Sequence, residues 1–166
     1  MDTGRGFSLI ELMVTVAILS IVAAIAIPSL DTIVRGHRIA AVSNDLSSAF
    51  VLARSEASKR GLPVLVCRRN DDGSDCEDDT DWSAGWLIRA TLPDGTTQIL
   101  RVWEPPLGQP QLQGVATGVS FDAMGAAAMA ADFSLQLPDC TGQGRRVISV
   151  ALSGQHTVSR EACVEP

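Results

Sequence analysis

Residues 7–27 read FSLIELMVTVAILSIVAAIAI, and this apolar stretch decides how the rest of the chain is interpreted. Its single ionisable side chain is Glu11. At about 1.5 Å per residue, a helix of this length spans roughly the 30 Å hydrocarbon core of a bilayer. The stretch therefore predicts a single-pass transmembrane helix over residues 7–28 that anchors whatever follows it.

A secretory signal peptide is the alternative interpretation of this N-terminus. Signal peptides carry an apolar core of about 7–15 residues followed by a small-residue cleavage site. Here the apolar run is longer and begins directly after MDTGRG, residues 1–6, so a retained anchor is favoured. Arg5 precedes the run, and the positive-inside rule then keeps this end in the cytoplasm and exports the C-terminal part.

The helical pattern continues beyond the anchor. Pro28 is expected to kink the helix without ending it, because apolar residues recur after it at spacings of three and four. The pattern predicts one helix from about Ser8 to Lys59 or Arg60, ended by Gly61-Leu62-Pro63, with an amphipathic second half over residues 29–60. The predicted apolar stripe consists of Leu30, Ile33, Val34, His37, Ala40, Ala41, Leu46, Ala49, Phe50 and Ala53, opposite Asp31, Arg35, Arg38, Asn44, Asp45, Arg54 and Glu56.

Residues 61–166 are interpreted as a β-rich globular domain. Short runs of β-branched and aromatic residues are bounded by Gly, Pro or Asp, and Pro93-Asp94-Gly95 suits a tight turn between two of them. In the run before that turn, Trp86, Ile88, Ala90 and Leu92 share one face. The fold class is therefore α+β, a long N-terminal helix packed against a mostly antiparallel β domain. The candidate strands are residues 63–67, 86–92, 98–103, 119–121, 133–137 and 147–152, while 125–131 (GAAAMAA) suits either a strand or a helix.

The chain has four cysteines, all in the part predicted to be exported: Cys67, Cys76, Cys140 and Cys163. An even number in an oxidising compartment indicates disulfides, and four cysteines allow three pairings. The preferred pairing closes the two shortest loops, Cys67 with Cys76 and Cys140 with Cys163. Reduced, buried thiols would be expected only in a cytoplasmic domain. A zinc site is disfavoured because there is no CxxC pair and both histidines lie far from any cysteine in sequence.

Residues Asn70–Asp81, NDDGSDCEDDTD, form a dense run of carboxylates. Clustered carboxylate oxygens suit calcium, but the glycine and glutamate spacing of an EF-hand is absent. The favoured interpretation is a solvated, charged loop, and no metal or other cofactor is predicted. The net charge of the chain is −6, which argues against a general phosphate-binding surface.

The N-terminal residues also carry a specific motif. Gly6-Phe7-Ser8-Leu9-Ile10-Glu11, opening an apolar helix that contains Pro28, resembles the type IV pilin signature of the prepilin and pseudopilin families. The resemblance implies that a membrane-embedded prepilin peptidase cleaves the Gly6–Phe7 bond and methylates the new Phe7 amine. Gly6 has no side chain, which lets the groove of such a peptidase approach the bond closely.

Glu11 places a carboxylate where hydropathy alone forbids one. An acidic residue within a membrane span costs about 2.5–3.5 kcal/mol even on lenient insertion scales. A neighbouring subunit's Phe7 ammonium can offset that cost during filament packing. Glu11 is therefore predicted to be the assembly charge.

The β domain resembles the minor pilin and pseudopilin group known as GspH/FimT. The resemblance implies two packed β-sheets against the helix. It rests on Val66-Cys67 before a short cysteine loop, Trp82–Trp86 (WSAGW), Phe121–Gly125 (FDAMG), and Arg146–Val150 (RVISV) leading to Ser153-Gly154.

DNA-receptor members of this group carry a Gly-Arg-x-Arg stretch near the C-terminus, where paired arginines can hold phosphates. The corresponding residues here are Gly154-Gln155-His156-Thr157, without either arginine. Arg145 and Arg146 lie nearby but are interpreted as a solvated strand start. DNA is therefore not expected as a partner.

These features predict a minor pilin, a low-abundance structural subunit that primes assembly of a type IV pilus for adhesion or twitching motility. The alternatives are a minor pseudopilin of a type II secretion system and a DNA-binding minor pilin for natural transformation. No enzyme is predicted, because the sequence shows no Ser/His/Asp or Cys/His arrangement and no phosphate loop. The expected partners are other minor and major pilins or pseudopilins, prepilin peptidase and inner-membrane lipid. The expected location is the bacterial inner membrane, with the C-terminal domain in the periplasm, and then the pilus or pseudopilus.

Overall fold

The computed structural model describes residues 8–164, apart from the side chains of residues 25–32. The single α-helix among these residues, α1 (Leu9–Arg60), agrees with the predicted helix. It ends at Gly61, where Leu62 N donates to Ala57 O at 3.3 Å in the pattern of a Schellman motif. The chain consists of two compact units, and the boundary between them lies between Gly36 and His37.

The first unit contains α1 as far as Gly36, and its large apolar side chains are exposed. Among those with described side chains, the exposed fractions range from 45% at Val34 to 78% at Leu9. Among residues with described side chains, no helix is both long enough and hydrophobic enough to cross a membrane. The predicted span over residues 7–28 includes Phe7 and the side chains of residues 25–28, which lie outside the described residues.

The second unit combines the rest of α1 with two four-stranded sheets, in which every neighbouring pair of strands is antiparallel. Along the chain the strands are β1 (Val64–Arg68), β2 (Trp86–Thr91), β3 (Thr97–Trp103), β4 (Gln111–Gln113), β5 (Val119–Phe121), β6 (Ala131–Gln136), β7 (Arg145–Val150) and β8 (His156–Glu161). One sheet has the order β3-β2-β1-β5 and the other β4-β6-β7-β8. A single-turn 3₁₀ helix, Trp82–Ala84, precedes β2.

The candidate strands correspond to β1, β2, β3, β5, β6 and β7, so these six predictions are confirmed. The turn at Pro93–Gly95 is confirmed by hydrogen bonds from Leu92 N to Thr96 O and from Gly95 N to Leu92 O. Strands β4 and β8 were not predicted, because QLQ is short and polar and HTVSRE lacks an apolar face. Residues 125–131 form neither a helix nor a full strand. Only Ala127 bridges to Phe121 before β6 begins.

The core lies where one row of α1 meets both sheets. Phe50 is 1% exposed, and its ring centroid lies 5.1 Å from that of Phe133 in β6 and 6.4 Å from that of Phe121 in β5. Because β5 and β6 belong to different sheets, this one side chain joins the helix to both. The fully buried Trp82 packs edge-on against Phe133 at 4.8 Å.

The predicted stripe is confirmed from Leu46 onward but is wrong at Ile33, Val34, His37 and Ala41, while the side chain of Leu30 lies outside the described residues. Leu46, Ala49, Phe50 and Ala53 are at most 1% exposed, whereas His37 and Ala41 are exposed. Ile33 and Val34 are also exposed, and the buried residues are instead Ile39, Val42 and Ser43. Residues 39–42 (IAAV) offer apolar side chains on adjacent faces of the helix, so periodicity alone did not identify the face that the sheets cover.

Candidate assembly site

The N-terminal motif begins just before the described residues. Gly6 and Phe7, the predicted cleavage and methylation positions, lie outside them. Ser8 directly precedes α1, and its hydroxyl oxygen accepts a hydrogen bond from Glu11 N at 3.3 Å. The Ser8 carbonyl accepts from Glu11 N and Leu12 N at 3.1 and 3.2 Å. Ser8 is therefore the N-cap of the helix.

Glu11 lies in the first turn of α1 and is exposed. No ion pair of this carboxylate is formed within residues 8–164. Ser8 and Glu11 have the spacing of a capping box, in which a glutamate at this position reaches back to the N-cap amide. Of the two hydrogen bonds of such a box, the one from Glu11 N to the Ser8 hydroxyl is present among the described residues. The sequence interpretation did not identify this cap, although the Ser-x-x-Glu spacing signals it.

The other polar side chains near this end of α1 are satisfied within the helix. Thr15 Oγ1 donates to Leu12 O and Ser20 Oγ donates to Val16 O, both at 2.8 Å. Glu11 is therefore the group in this segment that has a charge left for a partner. Pro28 falls within the bounds of α1. Its side chain lies outside the described part of the chain, so the kink stays a prediction.

The structure contains two disulfides. Cys67 is joined to Cys76 and Cys140 to Cys163, with Cα–Cα distances of 5.6 and 5.7 Å. This is the pairing that the two shortest loops favour. The second bond lies beside the chain end, where Cys163 N donates to Gly142 O at 3.0 Å.

The acidic segment Asn70–Asp81 is held by arginines from other parts of the domain. Arg68 pairs with Glu77, and Arg89 of β2 pairs with Asp75. Within residues 8–164, no cluster of three or more His, Cys, Asp or Glu side chains could hold a metal ion. The expected solvated loop is therefore correct for the exposed acids such as Asp71, but Asp75 and Glu77 are ion-paired. The sequence did not show this because strand pairing brings the arginines to the loop.

Residues Gly154–Thr157 form the turn between β7 and β8 and the start of β8. The expected strand start is confirmed, because β7 begins at Arg145, but both nearby arginines are half-buried and not fully solvated. Arg145 pairs with Glu161 at 3.3 Å. Arg146 lies opposite Arg160 across the β7–β8 pair, and its partial burial, together with the charge of Arg160, lowers the pKa of its guanidinium. This arrangement neutralises one arginine and sets the other beside a like charge.

The two loop segments Phe121–Gly125 and Ser153-Gly154 meet above α1. At Gly154, where φ is +74°, an added Cβ would lie 1.9 Å from Gly125 O, so only glycine permits the approach. Ala127 N also donates to Leu152 O at 2.9 Å. Arg54 of α1 packs beneath both loops, with its Nε 2.9 Å from the Cβ position of Gly125 and 3.4 Å from that of Gly154.

A pocket of about 470 Å³ opens beside Arg54. We call it the Arg54 pocket. One wall is α1 with Val51, Arg54, Ser55 and Ser58, and the other is Gly154–His156. The His156 ring packs at a tilt against Phe50, with the ring centroids 6.2 Å apart, and burial lowers the pKa of its imidazole.

The part of α1 around Ala40, Phe50 and Ala53 is largely covered by the sheets of its own domain. Phe50 and Ala53 are 1% and 0% exposed, because they form the core with the sheets, and Ala40 is half-buried. Phe50 and Ala53 are therefore closed to contact with another protein.

Comparison with known families identifies the chain. Residues 42–154, more than half of it, match the family model described as type II transport protein GspH. The chain belongs to the GspH family. Residues 1–27 match the prokaryotic N-terminal methylation motif. Family membership and this motif imply a membrane-anchored subunit that assembles with other pilins after processing by prepilin peptidase.

Solved structures share the fold. The type IV minor pilin FimU of Pseudomonas aeruginosa is 19% identical, with a TM-score of 0.60 over 74% of this chain and 89% of that one. The minor pseudopilin EpsH from the type 2 secretion system of Vibrio cholerae is 13% identical, with a TM-score of 0.53 over 75% of this chain and 97% of that one. The predicted pilin-like α+β fold is thus confirmed. No curated protein matches the chain.

Proposed function

We propose that this chain is a minor pilin, a low-abundance structural subunit that primes assembly of a type IV pilus. The observation that supports it most is the presence, in one chain, of an N-terminal methylation motif and a GspH domain. Its role is structural and not catalytic, since it presents surfaces and one N-terminal charge to neighbours. DNA is not among the proposed partners.

The proposed life cycle follows the four segments of the chain. Residues 1–6 are a leader that is removed by cleavage after Gly6, and residues 7–28 hold the precursor in the inner membrane. Residues 29–60, the amphipathic half of the helix, pack against the β domain of residues 61–166, which lies in the periplasm. The exposed apolar side chains from Leu9 to Val22 need an apolar environment, which lipid supplies before assembly and other subunits' helices supply in the filament. Glu11 then meets the methylated Phe7 amine of a neighbour.

A second candidate is a minor pseudopilin of a type II secretion system. The description of the matching family, a type II transport protein, favours it. Both candidates need the same processing and the same fold, so a test in the host must distinguish them.

Deleting the gene and restoring it from a plasmid tests the proposal. We expect the deletion to remove pili from the cell surface and abolish twitching while protein secretion stays normal. A complementing copy with Gly6→Val should fail to restore pili, because the precursor is not cut, and the wild-type copy should restore them. Normal pili together with lost secretion would contradict the pilus and establish the second candidate.

A further inference from the structure

The Arg54 pocket contains the positive charge of the Arg54 guanidinium. Within residues 8–164, no carboxylate forms an ion pair or hydrogen bond with the Arg54 guanidinium. The residue is half-buried, and the backbones of Gly125 and Gly154 hold it in place. In contrast, carboxylates accompany Arg60, Arg68, Arg69, Arg89 and Arg145.

The groups around Arg54 are neutral hydrogen-bonding side chains. Ser55 and Ser58 add hydroxyls from the next turn of α1, and Gln155 adds an amide from the opposite wall. No acidic residue lines the pocket. One guanidinium with neutral donors matches a single negative charge, and arginine binds carboxylates through two parallel hydrogen bonds. A polyanion would need more cations than this pocket supplies.

One residue that lines the pocket, and two others near its glycines in sequence, have exposed apolar side chains. Val51 is 57% exposed on the helix side. Met124 and Leu152, which are close in sequence to the two glycines, are 85% and 60% exposed. Arginine and methionine are enriched in protein interfaces, and exposed apolar groups around a buried charge are typical of an interface centre. A free small anion would leave these side chains uncovered, whereas a protein surface would cover them.

We propose that the Arg54 pocket receives an aspartate or glutamate side chain from the globular domain of a neighbouring pilin-family subunit. The carboxylate pairs with Arg54 and accepts hydrogen bonds from the serine hydroxyls, while Val51, Met124 and Leu152 contact the surface around it. This inference rests on the proposed function, since a neighbouring subunit is present only if the chain enters a filament.

Photo-crosslinking of the full-length protein in its host tests the pocket. The photoreactive residue p-benzoyl-phenylalanine is placed at Gln155 on the rim and, in a separate strain, at Ile21 in the apolar helix. We expect the Gln155 probe to capture a processed pilin-family subunit at a peptide that contains Asp or Glu. Arg54→Gln should lower that yield about tenfold and Arg54→Lys should lower it less, because lysine keeps the charge without the bidentate geometry. Arg101→Gln, an exposed arginine on β3, is the matched control and should change nothing.

A second experiment exchanges the charges of Arg54 and the captured acid. Because restored crosslinking requires a folded protein, its result cannot be explained by an unstable single variant. Replacing the captured acid by Arg should abolish the crosslink, and combining it with Arg54→Glu should restore it. Wild-type yield in Arg54→Gln, or capture of peptides without an acid, would overturn the inference. If the Ile21 probe also captures no pilin-family subunit, the proposed function fails. If the Ile21 probe captures one and the Gln155 probe does not, only the pocket assignment fails.

Discussion

At the scale of single residues, the short segment from Ser8 to Glu11 both caps the helix and presents a carboxylate. The Ser8 hydroxyl accepts the Glu11 amide hydrogen, so the N-cap of the helix lies one residue after the predicted new N-terminus at Phe7. The Glu11 carboxylate has no ion-pair partner inside residues 8–164 and is free to act between subunits. A change at position 11 must therefore be designed to separate helix capping from charge.

The first prediction makes that separation. Glu11→Gln keeps a capping side chain and removes the charge. We expect it to insert into the membrane as well as the wild type or better, because an ionised side chain no longer enters the span, and to lose most incorporation into sheared filaments. Ser8→Ala is the matched control, which weakens the cap by about 0.5–2 kcal/mol but keeps the charge. Normal incorporation of Glu11→Gln would show that the charge has no assembly role.

The second prediction concerns processing. Intact-mass measurement of the membrane-extracted protein should show the loss of residues 1–6, MDTGRG, and the gain of one methyl group on Phe7. Glycine permits close approach to the bond, so Gly6→Val should leave the full-length, unmethylated precursor in the same cells. A wild-type chain that retains residues 1–6 where prepilin peptidase is active would refute the predicted cleavage.

At the scale of elements, α1 is held to the domain by a narrow row of small and apolar residues. Ala49, Ala53 and Ala57 are fully buried, which lets the strands approach the helix backbone, and Phe50 fills the space between the two sheets. The energy of this contact is therefore concentrated in few side chains.

The third prediction tests that concentration. In the soluble domain from about Ser29 onward, Phe50→Ala should lower the free energy of unfolding by about 3–5 kcal/mol, because it leaves a cavity against Phe121 and Phe133. Val51→Ala on the exposed face should change it by less than about 0.5 kcal/mol. Urea titration followed by fluorescence of the buried tryptophans measures both. Similar losses in the two variants would contradict this description of the core.

The fourth prediction concerns the disulfides. Non-reducing peptide mapping of the exported protein should link Cys67 to Cys76 and Cys140 to Cys163. The sequence separations of the two pairs are 9 and 23 residues. In the chain-entropy model, loops of these lengths contribute roughly 3 kcal/mol each. Replacing the two cysteines of one pair by serines should lower the free energy of unfolding by about that amount. Peptide mapping of that variant should still show the other disulfide, which confirms that only one bond was removed. Free thiols in the exported protein would overturn both the pairing and the compartment.

The sequence predicted helices, strands and turns correctly where a segment had one clear apolar periodicity or a characteristic turn sequence. The helix and six strands have clear apolar patterns, and the 93–95 turn has its Pro-Asp-Gly. Contacts set by the tertiary fold were not predictable. The shift of the buried stripe to Ile39 and Val42, the polar edge strand β8 and the arginine partners of Asp75 and Glu77 all depend on which elements become neighbours. The convergence of Gly125 and Gly154 over Arg54 is of the same kind.

At the scale of the whole molecule, net charge and the distribution of arginines define which partners the chain can take. The chain carries a net charge of −6, and Arg60, Arg68, Arg69, Arg89 and Arg145 form ion pairs with acidic residues of the same domain. Such a surface suits selective protein contacts and not a broad polyanion-binding face.

The fifth prediction follows from that distribution. The soluble domain should bind duplex DNA only near the non-specific limit of about 10⁻⁴ M at physiological salt. Each phosphate contact adds about −0.9 to the slope of log affinity against log salt, so the slope should be shallow. Arg145→Ala with Arg146→Ala should change little, and Arg101→Ala is the control. Micromolar binding that the double variant abolishes would instead establish a DNA receptor.

The connection between α1 and the sheets also has a mechanical consequence. The covalent link lies at the far end of the helix, at Gly61-Leu62-Pro63, and leads into β1, which is flanked by β2 and β5 on its two sides. The buried row from Ile39 to Ala57 lies before that link. Tension applied to α1 from its N-terminal side therefore loads the whole buried row in shear before it reaches the link. Separation of α1 from the sheets then requires all of these side-chain contacts to break at once. The domain therefore resists force better than it would if the contacts could break one after another from one end.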